Sequence, residues 1–308
     1  LRYPEVKIVC NAKTVAMIKQ FFDFDIDSLA QVIKEGDTLT IGGHTYAFVM
    51  APMVHWPEAM VTFDVTDGIL FSADAFGTFG AVSGSIFAHD VDFENRHLDE
   101  ARRYYTNIVG KYGPQVAALL KKAGGLDIKM VCPLHGWVLD GEQIGWFVDK
   151  YQKWATYTPE EKGVLIVYGS VYGGTENAAE ILAGMLAEKG ITKVAVYDAS
   201  ATHVSYLLSE AFKYSHLVFA ASTYNAGIFT PVENLLTDLA AHSMQNRTVG
   251  LIQNGSWAPM SGKLMNEQVS GMKNMTVLEP VVTLRSTVSE QTVSELAALA
   301  DAIAASMN

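Results

Sequence analysis

Cysteine is nearly absent: Cys10 and Cys132 are the only two in 308 residues, and no C-x-x-C pair occurs. That excludes a disulfide framework and a four-cysteine iron site, and a reducing, cytoplasmic compartment is expected. Basic residues are few, 22 Lys and Arg against 33 Asp and Glu, for a formal charge of −11. Such a balance argues against nucleic acid or an anionic membrane as the main partner. No apolar run is long enough to span a membrane, and the opening residues do not read as a signal peptide. Internal repeats and low-complexity segments are missing too. No lysine follows the glycines at 173–174, so a triphosphate loop of the G-x-x-x-x-G-K type is not supported.

What is present is apolar. With 49 % hydrophobic residues and a length that suits two domains, the chain can bury sizeable cores. From residue 164 onward, apolar runs at 164–169, 193–198, 216–222, 248–253 and 276–284 alternate with helical patterns at 177–189, 204–213, 231–243, 261–271 and 290–306. Continuous apolar strands alternating with helices predict a parallel sheet covered on both faces, here five strands, doubly wound. The first strand runs into Ser170-Val171-Tyr172-Gly173-Gly174-Thr175 and then a helix. Glycines let the backbone curl, hydroxyls add donors, and a helix N-terminus adds partial positive charge, which together make a phosphate cradle.

In such a sheet a ligand sits beyond the carboxyl ends of the strands. The third strand ends in Ser222-Thr223-Tyr224-Asn225-Ala226-Gly227 and the fourth in Asn254-Gly255-Ser256-Trp257. Both are polar turns with one large aromatic, suited to hydrogen-bonding and stacking on a flat ring. The S-x-Y-G-x-T order resembles the flavin mononucleotide (FMN) phosphate loop of flavodoxins.

The first half reads differently. Strands are expected at 5–10, in a hairpin over 38–50 about Gly42-Gly43, and at 60–65, 68–71 and 130–133; helices are expected at 12–22, 97–122 and 141–157. Strands first and helices later suggest an α/β layer of mixed topology. Three residues stand out at strand ends: His55 in APMVHWPEAM, Asp74 in LFSADAFG and His135 in CPLHGWV. Imidazole and carboxylate suit iron, zinc or manganese, and one carboxylate can bridge two cations. His44, His89, His97, His203, His216 and His242 lack comparable context and are read as structural. The segment 158–162 reads as a linker, giving domains 1–157 and 158–308.

Both halves together resemble the flavodiiron proteins, which join a metallo-β-lactamase-like diiron domain to a flavodoxin-like domain. The H-W-P-[DE]-x-M motif is met by His55 to Met60, the D-A-F-G segment by Asp74 to Gly77, and the L-H-G segment by Leu134 to Gly136, with matching spacing. The resemblance implies FMN and two irons as cofactors, with His55 on one iron, His135 on the other and Asp74 between them. It implies reduction of nitric oxide to nitrous oxide and/or dioxygen to water, and a head-to-tail homodimer or tetramer. A separate electron donor such as rubredoxin or a flavin reductase is implied, since no rubredoxin module is fused here. Phe76 is expected to form an apolar pocket wall, and Tyr151 and Trp154 receive no role.

One departure stands against that pattern. The family's H-x-E-x-D-H motif does not occur between Leu1 and Val54, where His44 is the only histidine. The chain also opens without Met, directly into a strand-like run. The sequence is therefore expected to be an N-terminally truncated chain, with a partial αββα metallo-β-lactamase-like domain whose metal site is depleted. Two alternatives stay open: a zinc hydrolase of the metallo-β-lactamase superfamily with an accessory flavodoxin domain, and an FMN electron carrier without metal chemistry.

Overall fold

Residues 3–307 are described by the computed structural model, and the chain divides between Thr156 and Tyr157 into two units. In the first, Ile8–Cys10 (β1) and Ala30–Val32 (β2) pair in parallel, joined through the helix Ala12–Phe21 (α1). Asn11 caps that helix by accepting from the N–H groups of Lys13 and Thr14. Thr38–Ile41 (β3), His44–Met50 (β4), Met60–Asp64 (β5), Ile69–Phe71 (β6), Met130–Cys132 (β7) and Leu139–Asp140 (β8) then form one six-stranded sheet in chain order. Tight turns make most neighbours antiparallel. Between β6 and β7 the chain leaves through Phe93–Arg96 (α2), Leu98–Ile108 (α3) and Gly113–Ala123 (α4), and this detour returns β7 parallel to β6. Glu142–Ala155 (α5) closes the unit.

Local chemistry corrects the expected elements. The helical pattern at 97–122 is two helices, because Gly110 starts a 3-10 turn and Pro114 opens the next helix. The strand expected at 5–10 pairs only over Ile8–Cys10, and β2 and β8 were not expected at all; two- and three-residue strands give too little alternation to read.

The second unit runs Glu161–Gly169 (β9), Gly174–Glu188 (α6), Val194–Asp198 (β10), Val204–Lys213 (α7), Tyr214–Tyr224 (β11), Gly227–Ile228 (β12), Thr230–Ala241 (α8), Arg247–Asn254 (β13), Ser261–Ser270 (α9), Met275–Val277 (β14), Val282–Leu284 (β15) and Glu290–Ser306 (α10). Its sheet is ordered β10-β9-β11-β13, with β14 and β15 both along β13, all parallel; this is the doubly wound flavodoxin-like order. The fifth strand is split because Pro280 has no N–H to give to the ladder. The expected linker at 158–162 overlaps the start of β9 at Glu161.

One core cluster holds Val164 and Ile166 of β9 against Ala178, Leu182 and Leu186 of α6 and Leu296, Leu299 and Ile303 of α10, all 1 % exposed or less. The spacing of these positions puts each helix's apolar stripe on the sheet. Arg247 is 2 % exposed at the start of β13 and donates five hydrogen bonds to backbone carbonyls, those of Tyr157, Ala211, Phe212, Gln245 and Asn246. Two of them belong to the last turn of α7, where orphan carbonyls need donors. No helix among the described residues is long and apolar enough to cross a membrane.

Candidate functional sites at two sets of strand ends

Asp74 sits three residues past β6, His135 three past β7, and His55 in the loop between β4 and β5. The structure brings them together. His55 Nε2 lies 3.5 Å from one carboxylate oxygen of Asp74, and His135 Nε2 lies 3.3 Å from the other. One carboxylate thus presents an oxygen to each of two imidazoles, the donor set of a carboxylate-bridged metal pair. All three side chains are partly exposed, so they are accessible from solvent.

The loops around them are tied to each other. Ser72, 1 % exposed, donates to the Ala75 carbonyl at 2.8 Å and so closes the Asp74 turn. Leu134 N–H donates to Ala73 O at 2.9 Å and Thr78 N–H to His135 O at 3.2 Å, which cross-links the Asp74 and His135 loops. Met53, Ala73 and Phe76 all hold positive φ, between 51° and 66°. Such backbone persists only where the surroundings over-determine it.

A cavity of about 450 Å³ opens beside these residues, lined by His55 and His135 together with Thr78, Phe79, Tyr104, Ile108 and Leu134. Its apolar wall is not Phe76. That ring is 5 % exposed and packs 4.6 Å from Tyr151 (ring centroids), while its N–H donates to Tyr151 Oη at 2.7 Å. Tyr151 therefore braces the Asp74 loop from inside the aromatic core, with Trp154 5.3 Å from it. Tyr104, from α3, was not visible in the sequence: its ring is 5.7 Å from His135 and abuts Gly77, where a Cβ would meet the ring at 2.5 Å. Burial, and then the Asp74 charge, push the Tyr104 hydroxyl well above its ordinary pKa, so it keeps its proton.

A second imidazole–carboxylate group lies where two hairpin turns meet. His44 Nδ1 is 2.8 Å from Asp64 and 3.5 Å from Asp67. The Asp64 carboxylate also accepts from Thr66 N–H, and its pKa is lowered by His44 and backbone donors against the opposing pull of desolvation. The pair holds one hairpin to the next.

In the second unit the three expected loops converge. Ser170 Oγ accepts from Gly173 N–H at 3.1 Å, Gly173 is left-handed at φ 85°, and α6 begins at Gly174 without a side-chain cap. The first-turn N–H groups of α6 therefore have no acceptor in the helix, a cradle suited to a phosphate. Thr175 is fully buried, its hydroxyl 3.0 Å from Ser222 Oγ and accepting from Asn254 Nδ2 at 3.2 Å. Thr223 Oγ1 accepts from the N–H groups of Met260 and Ser261 at the start of α9. Asn225 and Ala226, both at positive φ, form the two-residue turn of a hairpin in which Thr223 pairs with Ile228 and Tyr224 with Gly227. Where a loop was expected, the chain makes a short antiparallel lip.

Val171, Tyr172, Tyr224 and Trp257 stand exposed around this crevice, Tyr172 at 99 % and Trp257 at 88 %. Gly255 packs so closely on Pro259 that a Cβ would lie 2.7 Å from its Cα, and Ser256 Oγ is 2.6 Å from Ser286 Oγ. Ser286 belongs to the loop after β15, which the sequence did not single out.

Comparison with known proteins agrees with both halves. A model described as ODP family beta lactamase matches residues 1–136, and a flavodoxin model matches residues 166–295. The chain is 32 % identical over 246 residues to the rubredoxin-oxygen oxidoreductase of Megalodesulfovibrio gigas, covering 79 % of this chain and 60 % of that protein. It is 27 % identical over 285 residues to a nitric oxide reductase of Moorella thermoacetica, covering 92 % and 70 %. The solved structure of rubredoxin oxygen:oxidoreductase from Desulfovibrio gigas superposes with a TM-score of 0.87 at 29 % identity, covering 98 % of this chain and 74 % of that one. The chain thus spans 60 % of the length of the first relative and 70 % of the second. With a β-lactamase-like unit that centres two imidazoles on one carboxylate, followed by a flavodoxin unit, the chain is similar in both halves and in their order to the flavodiiron proteins.

Proposed function

We propose that this chain is an FMN- and iron-dependent oxidoreductase that reduces nitric oxide to nitrous oxide and/or dioxygen to water, with electrons from a separate donor protein such as rubredoxin or a flavin reductase. The observation that carries this reading is the placement of His55 and His135 on opposite oxygens of Asp74 at the mouth of a cavity sized for small molecules. When bound, a pair of irons supplies adjacent open positions for a diatomic molecule, and FMN supplies one- and two-electron transfer. Asp74 would hold the two metal positions together, and His55 and His135 would each give one ring nitrogen. Tyr104 keeps a proton at its hydroxyl beside the cavity, where it can donate to a bound oxygen or nitrogen atom. Phe79, Ile108 and Leu134 make the remaining wall apolar.

Ser170–Thr175 would take the FMN phosphate, and the Tyr224 and Trp257 loops would take the ring. Among the described residues one imidazole per metal and one bridging carboxylate are fewer donors than a firmly held transition metal uses. Iron in this 308-residue polypeptide is therefore expected below two per chain while FMN stays near one. The two free thiols, Cys10 and Cys132, fit a reducing cytoplasm.

The test is anaerobic loading with ferrous iron, followed by iron analysis and consumption of nitric oxide and dioxygen with a chemical reductant. Consumption should rise with bound iron and vanish in Asp74→Ala, with the flavin spectrum unchanged. Turnover that survives in Asp74→Ala would leave only the FMN-carrier reading.

A further inference from the structure

The loop after β15, Arg285-Ser286-Thr287, lies against the phosphate loop although nothing in the S-x-Y-G-x-T pattern refers to it. Four observations meet at Ser286. Its N–H donates to Asn254 Oδ1 at 2.9 Å, and its carbonyl accepts from Asn254 Nδ2 at 3.2 Å, so one amide side chain satisfies both backbone groups. Asn254 Nδ2 also donates to Thr175 Oγ1, which links Ser286 to the first turn of α6. The Ser286 carbonyl occupies the space beside Gly174, so closely that a methyl group built there would overlap it. Finally, Ser286 is a non-glycine residue at φ 73°, a conformation held only where surrounding contacts impose it.

We infer that Ser286 is a positioning residue for FMN: its backbone, clamped by Asn254 and seated on Gly174, sets where the phosphate loop stands. The inference rests on the flavin reading given above and concerns the phosphate end of that site. The geometry gives the reason. The N–H groups of a phosphate cradle must converge on one point, and a shift of the loop by a fraction of an ångström spoils several charge-assisted hydrogen bonds together. Asn254, 8 % exposed at the end of β13, is fixed by the sheet. Through Ser286 it transfers that rigidity to Gly174 and Thr175. Gly174 itself is not at positive φ, so the need for glycine there comes from the neighbouring carbonyl and not from the turn.

Two substitutions probe the contact from its two sides, with a third as control. Ser286→Val puts a β-branched residue where left-handed backbone is required and should drive the loop away. Gly174→Ala pushes the Ser286 carbonyl off the cradle while the residues of the 285–287 loop stay unchanged. Ser286→Gly keeps the conformation and removes the side chain with its 2.6 Å contact to Ser256 Oγ, so it separates the role of the backbone from that of the side chain. The measurements are dissociation constants for FMN and for riboflavin, which lacks the phosphate, by flavin fluorescence quenching on the apoprotein, with apoprotein Tm as the folding control. Ser286→Val and Gly174→Ala should each weaken FMN by about tenfold or more, a loss in the range expected when backbone strain is released into the site. Riboflavin binding should change by less than about threefold, and Ser286→Gly should stay near the parent for both ligands. If Ser286→Val and Gly174→Ala leave FMN affinity unchanged, or weaken riboflavin equally, the positioning role is wrong and the flavin reading stands. If the parent binds neither ligand, the flavin reading itself fails and takes this role with it.

Discussion

His216 is 5 % exposed near the start of β11, with Nδ1 2.8 Å from Ser215 Oγ and Nε2 3.0 Å from Ser306 Oγ on α10. Burial, and then the Lys162 charge, push its pKa below the ordinary value of 6.5. The unfolded chain therefore takes up the proton first, and stability is intact above about pH 6.5 and falls as pH drops toward the folded-state pKa. His89 has the opposite sign: its hydrogen bond to Asp140, and then the charges of Asp140 and Asp90, raise its pKa over an opposing desolvation. Its contribution is present below pH 6.5 and is lost as pH rises through the raised value. His216→Gln should flatten the acid side of the second unit's stability, so that Tm falls less between pH 7 and pH 5 than in the parent. Parallel losses in both proteins would show that another group controls the acid limb. At the same scale, His55, Asp74 and His135 were legible because ligand-type side chains at strand ends form a recognisable pattern. Tyr104 and Tyr151 were not legible, because each lies on a helix and reaches its place only when that helix packs.

Among the elements, β13 begins with the buried Arg247, whose five hydrogen bonds all go to backbone carbonyls. Burial pushes its pKa down to about 9, which leaves it charged at neutral pH, and the carbonyls replace its lost hydration. Arg247→Met keeps the apolar stem and strands those carbonyls. A loss of about 3 kcal/mol is expected, read as a lower urea midpoint with unchanged slope. A loss below about 1 kcal/mol would mean that the last turn of α7 finds other donors. The alternation of strands and helices after residue 164 was readable because buried parallel strands are continuous apolar runs. The breaks were less so: Gly110 and Pro114 interrupt a pattern whose apolar spacing continues through them, and Pro280 divides a strand whose residues otherwise favour β structure.

For the molecule as a whole, a charge of −11 and two sets of exposed aromatics bear on assembly. Phe21, Phe22, Phe24 and Trp56 are each more than 40 % exposed; the Phe21 and Trp56 rings lie 6.3 Å apart, and Trp56 is 6.4 Å from His55. The second unit exposes Tyr172 and Trp257. We propose a head-to-tail homodimer, or a pair of such dimers, in which exposed aromatics of this kind are covered. Light scattering should give a mass of about twice or four times 33.5 kDa. Trp56→Glu and Trp257→Glu together should shift it toward the single-chain mass, since a buried charge opposes an apolar contact. A single-chain mass for the parent at working concentration would remove the dimer.

The sequence by itself determined what depends on neighbours along the chain: the phosphate-cradle turn, the parallel strand–helix alternation, and the residue types able to hold metals or stack on a ring. Only the tertiary structure decided what depends on residues far apart in sequence. It placed one carboxylate between two imidazoles, turned Phe76 inward and Tyr104 toward the cavity, and seated the Ser286 carbonyl on Gly174. These outcomes follow from how helices and loops pack over the sheets, and such packing joins side chains whose separation along the chain carries no periodic signal.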